Sequence, residues 1–177
     1  MQRISVVGNS GSGKTAFART LARRLGVKHI ELDSIFHGPG WSELPVEEFR
    51  SRVRTEASSG AWVIDGNYPP VRDLVWERAD TVVWIDPPRI VTMTQISWRS
   101  ASRVATRREL WNGNRESFRQ LLSVDPERSM IRWAWTRHQV VRERYVAAMG
   151  DPRWSDLTFV RLRSRREARR WLAAVKR

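Results

Sequence analysis

The sequence predicts an α/β fold, a parallel sheet with helices packed on its faces, and three observations carry that expectation. Short β-branched runs alternate with longer segments of helical period along the chain, the pattern of strands linked by crossover helices. The first run ends in a glycine-rich turn that opens a helix. Three apolar runs close on an aspartate, at Asp33, Asp65 and Asp86, and the carboxyl ends of strands are where open parallel sheets bind their ligands.

Strands are expected at 3–7 (RISVV), 28–32 (KHIEL), 61–65 (AWVID), 81–86 (TVVWID) and 157–162 (LTFVRL). The first helix runs from Lys14 to about Leu25 and stops at Gly26, a residue suited to the left-handed cap position. A second opens at Pro45, with Val46, Phe49 and Val53 recurring on one face. A long third helix is expected after Asp86, whose side chain would cap it while Pro87 or Pro88 sits in the first turn. A fourth runs from about Pro126 to Met149, with Met130, Ala134, Val141, Tyr145 and Ala148 on one stripe, and a last from Arg165 to Lys176. No repeat, low-complexity tract or linker divides the chain, so residues 1–177 are expected to form one domain, a size that buries a substantial core.

Composition narrows the function. The chain has no run of eighteen apolar residues, and its first strand begins almost at the initiator Met, so a soluble, cytoplasmic protein without a membrane span is expected. With no cysteine there is no disulfide or thiolate site, and His29, His37 and His138 fall at no ligand spacing, so a metal is expected to be Mg²⁺ arriving with a nucleotide. The net charge of +13 is uneven: residues 1–97 carry 12 Lys+Arg against 11 Asp+Glu, whereas residues 98–177 carry 20 against 8. That basic half suits ATP phosphates, a phosphorylated acceptor or nucleic acid, or is merely solvated in a chain that prefers Arg to Lys. Of ten tryptophans, Trp62 and Trp84 are expected in the core, while Trp41 and Trp111 sit in Gly/Asn/Pro-containing loops where a structural role is less automatic.

The glycine turn, Gly8-Asn9-Ser10-Gly11-Ser12-Gly13-Lys14-Thr15, fits G-x-x-x-x-G-K-[ST] throughout and lies between a strand and a helix. Its glycines let backbone N–H groups turn inward as an anion nest, and the helix behind points its N-terminus at the same place. Lys14 is then expected on the β- and γ-phosphates of ATP, and the Thr15 hydroxyl on Mg²⁺.

Among the carboxylates, Asp65 closes an apolar strand as a Mg²⁺-water ligand does beside such a loop, or forms a turn with Gly66. Asp33 is placed to orient an acceptor hydroxyl and take its proton, or to cap a loop, whereas Asp86 reads as a plain helix cap. Arg99, Arg103 and Arg107 recur at helical spacing, and Arg108 and Arg115 flank the turn Trp111-Asn112-Gly113-Asn114. A loop of this kind, hinged at Gly113, could fold over a nucleotide and neutralise the γ-phosphate, with Arg103 and Arg107 acting on the transition state; the alternative is a solvated face.

The phosphate loop, Glu31-Leu32-Asp33-Ser34-Ile35-Phe36 with Pro39-Gly40-Trp41, Trp62-Val63-Ile64-Asp65-Gly66-Asn67-Tyr68, and Arg161-Leu162-Arg163-Ser164-Arg165-Arg166-Glu167 together resemble the adenylate-kinase-like P-loop proteins of the topology modulation (FlaR-type) family. The resemblance spans nearly the whole chain. It implies strand order 2-3-1-4-5, ATP over the phosphate loop and an Arg-rich lid over about 99–120, with Asp65 beside the loop strand, Asp33 on the acceptor side and Arg163 near the adenine. The expected activity is transfer of the γ-phosphate of Mg·ATP to a small acceptor, a nucleotide, nucleoside or hydroxylated metabolite. An ATPase acting on DNA is the alternative, so nucleic acid is a less favoured partner.

Overall fold

The computed structural model describes residues 1–58, 60–106, 111–114 and 130–175. Strands β1 (Arg3–Gly8), β2 (Lys28–Glu31), β3 (Trp62–Asp65), β4 (Thr81–Ile85) and β5 (Thr158–Leu162) form one sheet of order β2-β3-β1-β4-β5. Every neighbouring pair is parallel, and the order is the one the resemblance implies. The helices are α1 (Lys14–Leu25), α2 (Leu32–Phe36), α3 (Val46–Ser58), α4 (Pro69–Trp76), α5 (Arg89–Ala105), α6 (Met130–Met149) and α7 (Arg165–Ala174).

Burial explains why the strands read so clearly. Every residue of β3 and β4 is buried, as is β1 from Ile4 onward, because a central parallel strand is covered on both faces. Side-chain alternation then splits the core. Ile4, Val6, Val63 and Val83 meet Phe17, Ala18, Leu21 and Ala22 of α1 on one face. Val7, Trp62, Ile64, Val82 and Trp84 face the other way, against Phe49, Val53 and Ala57 of α3, Val71, Val75 and Trp76 of α4, and Val141, Tyr145 and Ala148 of α6. Trp62 and Trp84 are core residues as expected.

Several local expectations hold and several do not. Gly26 ends α1 in the left-handed region at φ 72°, and the Val27 N–H returns to the Ala22 carbonyl at 3.0 Å. In α3 the buried face is Phe49, Val53 and Ala57, while Val46 is exposed. α2 and α4 lie where no helix is expected; α4 opens on Pro69-Pro70, whose fixed φ suits a first turn. Asp86 is not a plain helix cap. Its Oδ2 accepts from Arg161 Nε at 2.9 Å and Nη2 at 2.5 Å, with Arg142 Nε at 3.8 Å, so it ties the end of β4 to β5. The expected start of α6 at 126, and the side chains of Met130 and Ala134, lie outside the described residues. Ser164 caps α7: its hydroxyl accepts from the Glu167 N–H at 3.1 Å while the Glu167 carboxylate takes the Arg163 N–H.

Candidate functional site

The loop between β1 and α1 is shaped for an anion. Gly11 and Gly13 have φ of 78° and 90°, a region that side chains with a Cβ adopt only under strain. At Gly11 a Cβ would also meet Ile96 Cβ and the Thr92 carbonyl at 2.9 Å each, because α5 lies directly against the loop. Gly13 caps α1 with no side-chain hydrogen bond, and the first turn has no acidic residue, so the first amides of a twelve-residue helix are not claimed by a cap. The Ser12 hydroxyl is buried without a hydrogen-bond partner among the described residues. A buried orphan hydroxyl, an uncapped helix start and a cradle of glycines fit a bound phosphate chain. Asn9 is buried and its Oδ1 accepts from the Ser10 N–H at 2.9 Å, which pins the turn internally. Lys14 and Thr15 open α1, both partly buried.

Asp65 stands where the sequence places it and has a partner that sequence reasoning missed. It is 1% exposed, its Oδ1 accepts the Thr15 hydroxyl at 2.9 Å, and its Oδ2 lies 2.6 Å from His29 Nε2. The three groups come from α1, β3 and β2, and the parallel register of β2 on β3 brings His29 within reach. A buried carboxylate beside a hydroxyl is an oxygen donor pair suited to Mg²⁺, which commonly takes one or two protein oxygens and completes its shell with phosphates and water. The histidines are therefore not all scattered: His29 orients this carboxylate through its second oxygen.

Asp33 lies one residue into α2 instead of closing β2. Its Oδ1 accepts the Tyr68 hydroxyl at 2.7 Å, and His37 Nε2 lies 3.4 Å from the same hydroxyl. Burial first, then the charge of Asp33 and this hydrogen bond, push the Tyr68 hydroxyl far above its ordinary value, so Tyr68 remains a donor. Phe36 and Phe49 pack against the Tyr68 ring, and His37 meets Phe36 and Trp41 edge-on.

The turn expected to hinge at Gly113 is exposed at Asn112 and Gly113 and is docked on the 38–41 loop through Asn114. Asn114 is 4% exposed; its Oδ1 accepts the Trp41 N–H at 2.9 Å and its Nδ2 donates to the Gly38 carbonyl at 2.9 Å. Asn112 donates to the carbonyl of His37. Trp41 and Asn112, at φ 60° and 56°, are the non-glycine residues in the left-handed region among the described residues, and both belong to this clasp. Arg99 and Arg103 lie on α5, Arg99 partly buried and the side chain of Arg103 outside the described residues. Arg107, Arg108 and Arg115 also lie outside the described residues, as does the side chain of Trp111. Arg163 is exposed at the start of the α7 turn.

No helix among the described residues is long and apolar enough to cross a membrane. No protein-family model and no curated protein matches the sequence. Solved structures do. The chain is similar to shikimate kinase from Acinetobacter baumannii in complex with shikimate, at 21% identity and TM-score 0.56 over 98% of this chain and 89% of that one. It is similar to a gluconokinase from Sinorhizobium meliloti 1021 at 19% identity and TM-score 0.53, covering 97% of this chain and 91% of the other. Shikimate kinase from Bacteroides thetaiotaomicron matches at 15% identity and TM-score 0.54, with 97% and 94% covered. The parallel sheet of order β2-β3-β1-β4-β5, its phosphate loop and its flanking helices are the fold of the P-loop kinases.

Proposed function

We propose that the chain is a small-molecule kinase that moves the γ-phosphate of Mg·ATP onto an acceptor hydroxyl. The observation that carries the reading is the pairing of two carboxylates with two different tasks: Asp65 bonded to Thr15 at the foot of the phosphate loop, and Asp33 held by Tyr68 farther along the sheet edge. Mg·ATP supplies the transferable phosphoryl group and the charge that draws its oxygens together. The residues 8–15 hold the phosphates through loop amides, the α1 N-terminus and the Lys14 ammonium, and Thr15 with Asp65 holds the metal. His29 keeps Asp65 facing Thr15. Tyr68 occupies Oδ1 of Asp33 and leaves Oδ2 to align the acceptor hydroxyl and receive its proton.

Arg99 and Arg103, with Arg107, Arg108 and Arg115 beyond α5, would neutralise the phosphates from the far side, and Arg163 would flank the base. α5 supports this by its contact with the loop at Gly11. The alternative, an ATPase acting on DNA, draws on the basic second half, yet Arg142, Arg153 and Arg161 of that half are engaged by Asp86 and Glu77. The test is ADP release with Mg·ATP across nucleosides, monophosphates and hydroxylated metabolites, read against the no-acceptor rate. Acceptor-dependent release that is lost in Asp33→Asn supports the reading; release stimulated by duplex DNA and by no small acceptor overturns it.

A further inference from the structure

Two short segments meet beside α2, the turn of residues 38–41 that follows it and the turn of residues 111–114 that comes after α5. Asn114 joins them: it is buried, its Oδ1 accepts the Trp41 N–H and its Nδ2 donates to the Gly38 carbonyl, each at 2.9 Å. Asn112 adds a bond to the His37 carbonyl. We propose that Asn114 is a positioning residue for phosphoryl transfer, acting through Trp41, His37 and Tyr68 on the carboxylate of Asp33. The inference rests on the kinase reading for the chemical step, and on this clasp alone for the positioning.

Backbone strain makes the case. Trp41 is left-handed at φ 60°, a conformation in which so bulky a side chain is an outlier. Gly40 beside it is left-handed at φ 66° with nothing within 4 Å of where a Cβ would stand, and a glycine at position 41 would close the same turn without strain. The strain accompanies the indole, and strain of this kind persists only where other contacts over-determine it. Asn114 is such a contact. The net gain of two buried hydrogen bonds and the cost of one left-handed residue are of the same order, so Trp41 keeps this conformation while Asn114 holds it and relaxes when Asn114 is lost. The site takes one acceptor and one donor at once, which a carboxamide supplies; an aspartate there has no donor for the Gly38 carbonyl, and a leucine has neither group.

From Trp41 the contacts run inward. Its ring meets the His37 ring edge-on, with 5.5 Å between centroids, and His37 Nε2 lies 3.4 Å from the Tyr68 hydroxyl. That hydroxyl donates to Asp33 Oδ1 at 2.7 Å, so the chain of contacts ends on the carboxylate itself. The His37 backbone is held as well, its N–H on the Asp33 carbonyl at 3.1 Å and its carbonyl on Asn112. Without Asn114 the Trp41 ring moves, the His37 ring loses the edge contact that sets its tilt, and the Tyr68 hydroxyl is no longer confined to one direction. Asp33 turns with it, and a base displaced by about 1 Å loses the hydrogen-bond reach on which proton transfer depends. Asp65 is held by Thr15 and His29 instead, so the phosphate loop stands outside this chain of contacts.

The experiment has two arms. The chain holds two tyrosines, Tyr68 and Tyr145, so NMR of protein isotope-labelled at the tyrosine ring carbon that bears the hydroxyl gives two signals, assigned with Tyr68→Phe. Asn114→Ala is expected to move the Tyr68 signal and leave that of Tyr145 in place; a Tyr68 signal that stays where it is overturns the inference. In the second arm ADP release from Mg·ATP is followed across nucleosides, monophosphates and hydroxylated metabolites and with no acceptor. With the acceptor that the wild type uses, Asn114→Ala should lower kcat about tenfold or more, while KM for Mg·ATP and the no-acceptor rate stay within about twofold. An unchanged kcat overturns the inference, as does a no-acceptor rate that falls as far as kcat, since the loss is then general. Asn114→Asp, which keeps the acceptor for the Trp41 N–H and loses the donor to Gly38, carries both arms with a smaller effect if the alanine variant does not fold. A Tyr68 signal that moves in a protein releasing ADP to no acceptor would keep the hold of Asn114 on Tyr68 and sink the kinase reading.

Discussion

Replacing Gly11 with alanine should cost more stability than replacing Gly26, and the difference measures how closely α5 is packed on the phosphate loop. Both glycines are left-handed, at φ 78° and 72°, so both substitutions incur about 1–2 kcal/mol of backbone strain. At Gly26 nothing lies within 4 Å of the new Cβ, and strain is the whole effect. At Gly11 the Cβ would stand 2.9 Å from Ile96 Cβ and 2.9 Å from the Thr92 carbonyl, and a carbonyl within α5 cannot rotate aside. Either α5 or the loop must shift, an overpacking cost of about 1–3 kcal/mol. For a chain of 177 residues that extra cost lowers the melting temperature by about 2–12 °C more than Gly26→Ala does. Calorimetric titration with a non-hydrolysable ATP analogue should show binding lost in Gly11→Ala and kept in Gly26→Ala. Equal melting shifts in the two variants would refute the reasoning, because the contact with α5 would then constrain nothing.

Lys14→Ala should lower affinity for Mg·ATP severely with little change in melting temperature; equal calorimetric affinity for the two proteins would falsify the phosphate-loop role. Asp65→Asn should impair Mg²⁺-dependent binding, whereas Asp33→Asn should bind ATP nearly normally and lose acceptor-dependent ADP release; identical losses of nucleotide binding would remove Asp33 from the acceptor side. Asp80 is held below its ordinary value: burial works against its charge, but the N–H groups of Gln2 and Arg3 and the Thr81 hydroxyl outweigh burial. A lowered folded value means its stabilisation is complete above the unfolded value of about 3.9 and is lost as pH falls through the folded one. Asp80→Asn should therefore be less stable at neutral pH by about 1–2 kcal/mol and show a flatter acid profile in thermal melts; a parallel profile would exclude this role. Asn114→Ala removes both bonds to the 38–41 loop, a local loss of about 1–3 kcal/mol, so the Trp41 amide should exchange hydrogen about tenfold faster or more.

What the sequence made legible follows from which interactions are local. β3 and β4 are buried on both faces and so read as unbroken apolar runs, and the phosphate loop needs its glycines, lysine and threonine at consecutive positions. α2 is five residues long, too short to display a helical period, and Pro69-Pro70 at the head of α4 reads as a loop until the first turn is seen. His29 and Asp65 are far apart in the chain and meet only because β2 lies beside β3 in parallel register. Asp86 reads as a cap because its neighbours are prolines; its partner Arg161 comes from β5, opposite Trp84 in the register, and lies over that ring at 4.2 Å.

The strand order separates the two carboxylates to which the proposed reading gives different tasks. β1 leads into the phosphate loop, β3 beside it ends at Asp65, and β2 beyond that leads to Asp33. Along the sheet edge Asp65 thus stands between the loop and Asp33, bonded to the loop by Thr15 and to β2 by His29. A protein that only hydrolysed or sensed ATP would need the loop and Asp65. Asp33, held by a tyrosine that burial keeps protonated, lies beyond β3 on the side away from the loop. On the proposed kinase reading, polar groups organised at that position would serve a second substrate, with Asp33 placed to take a proton from its hydroxyl.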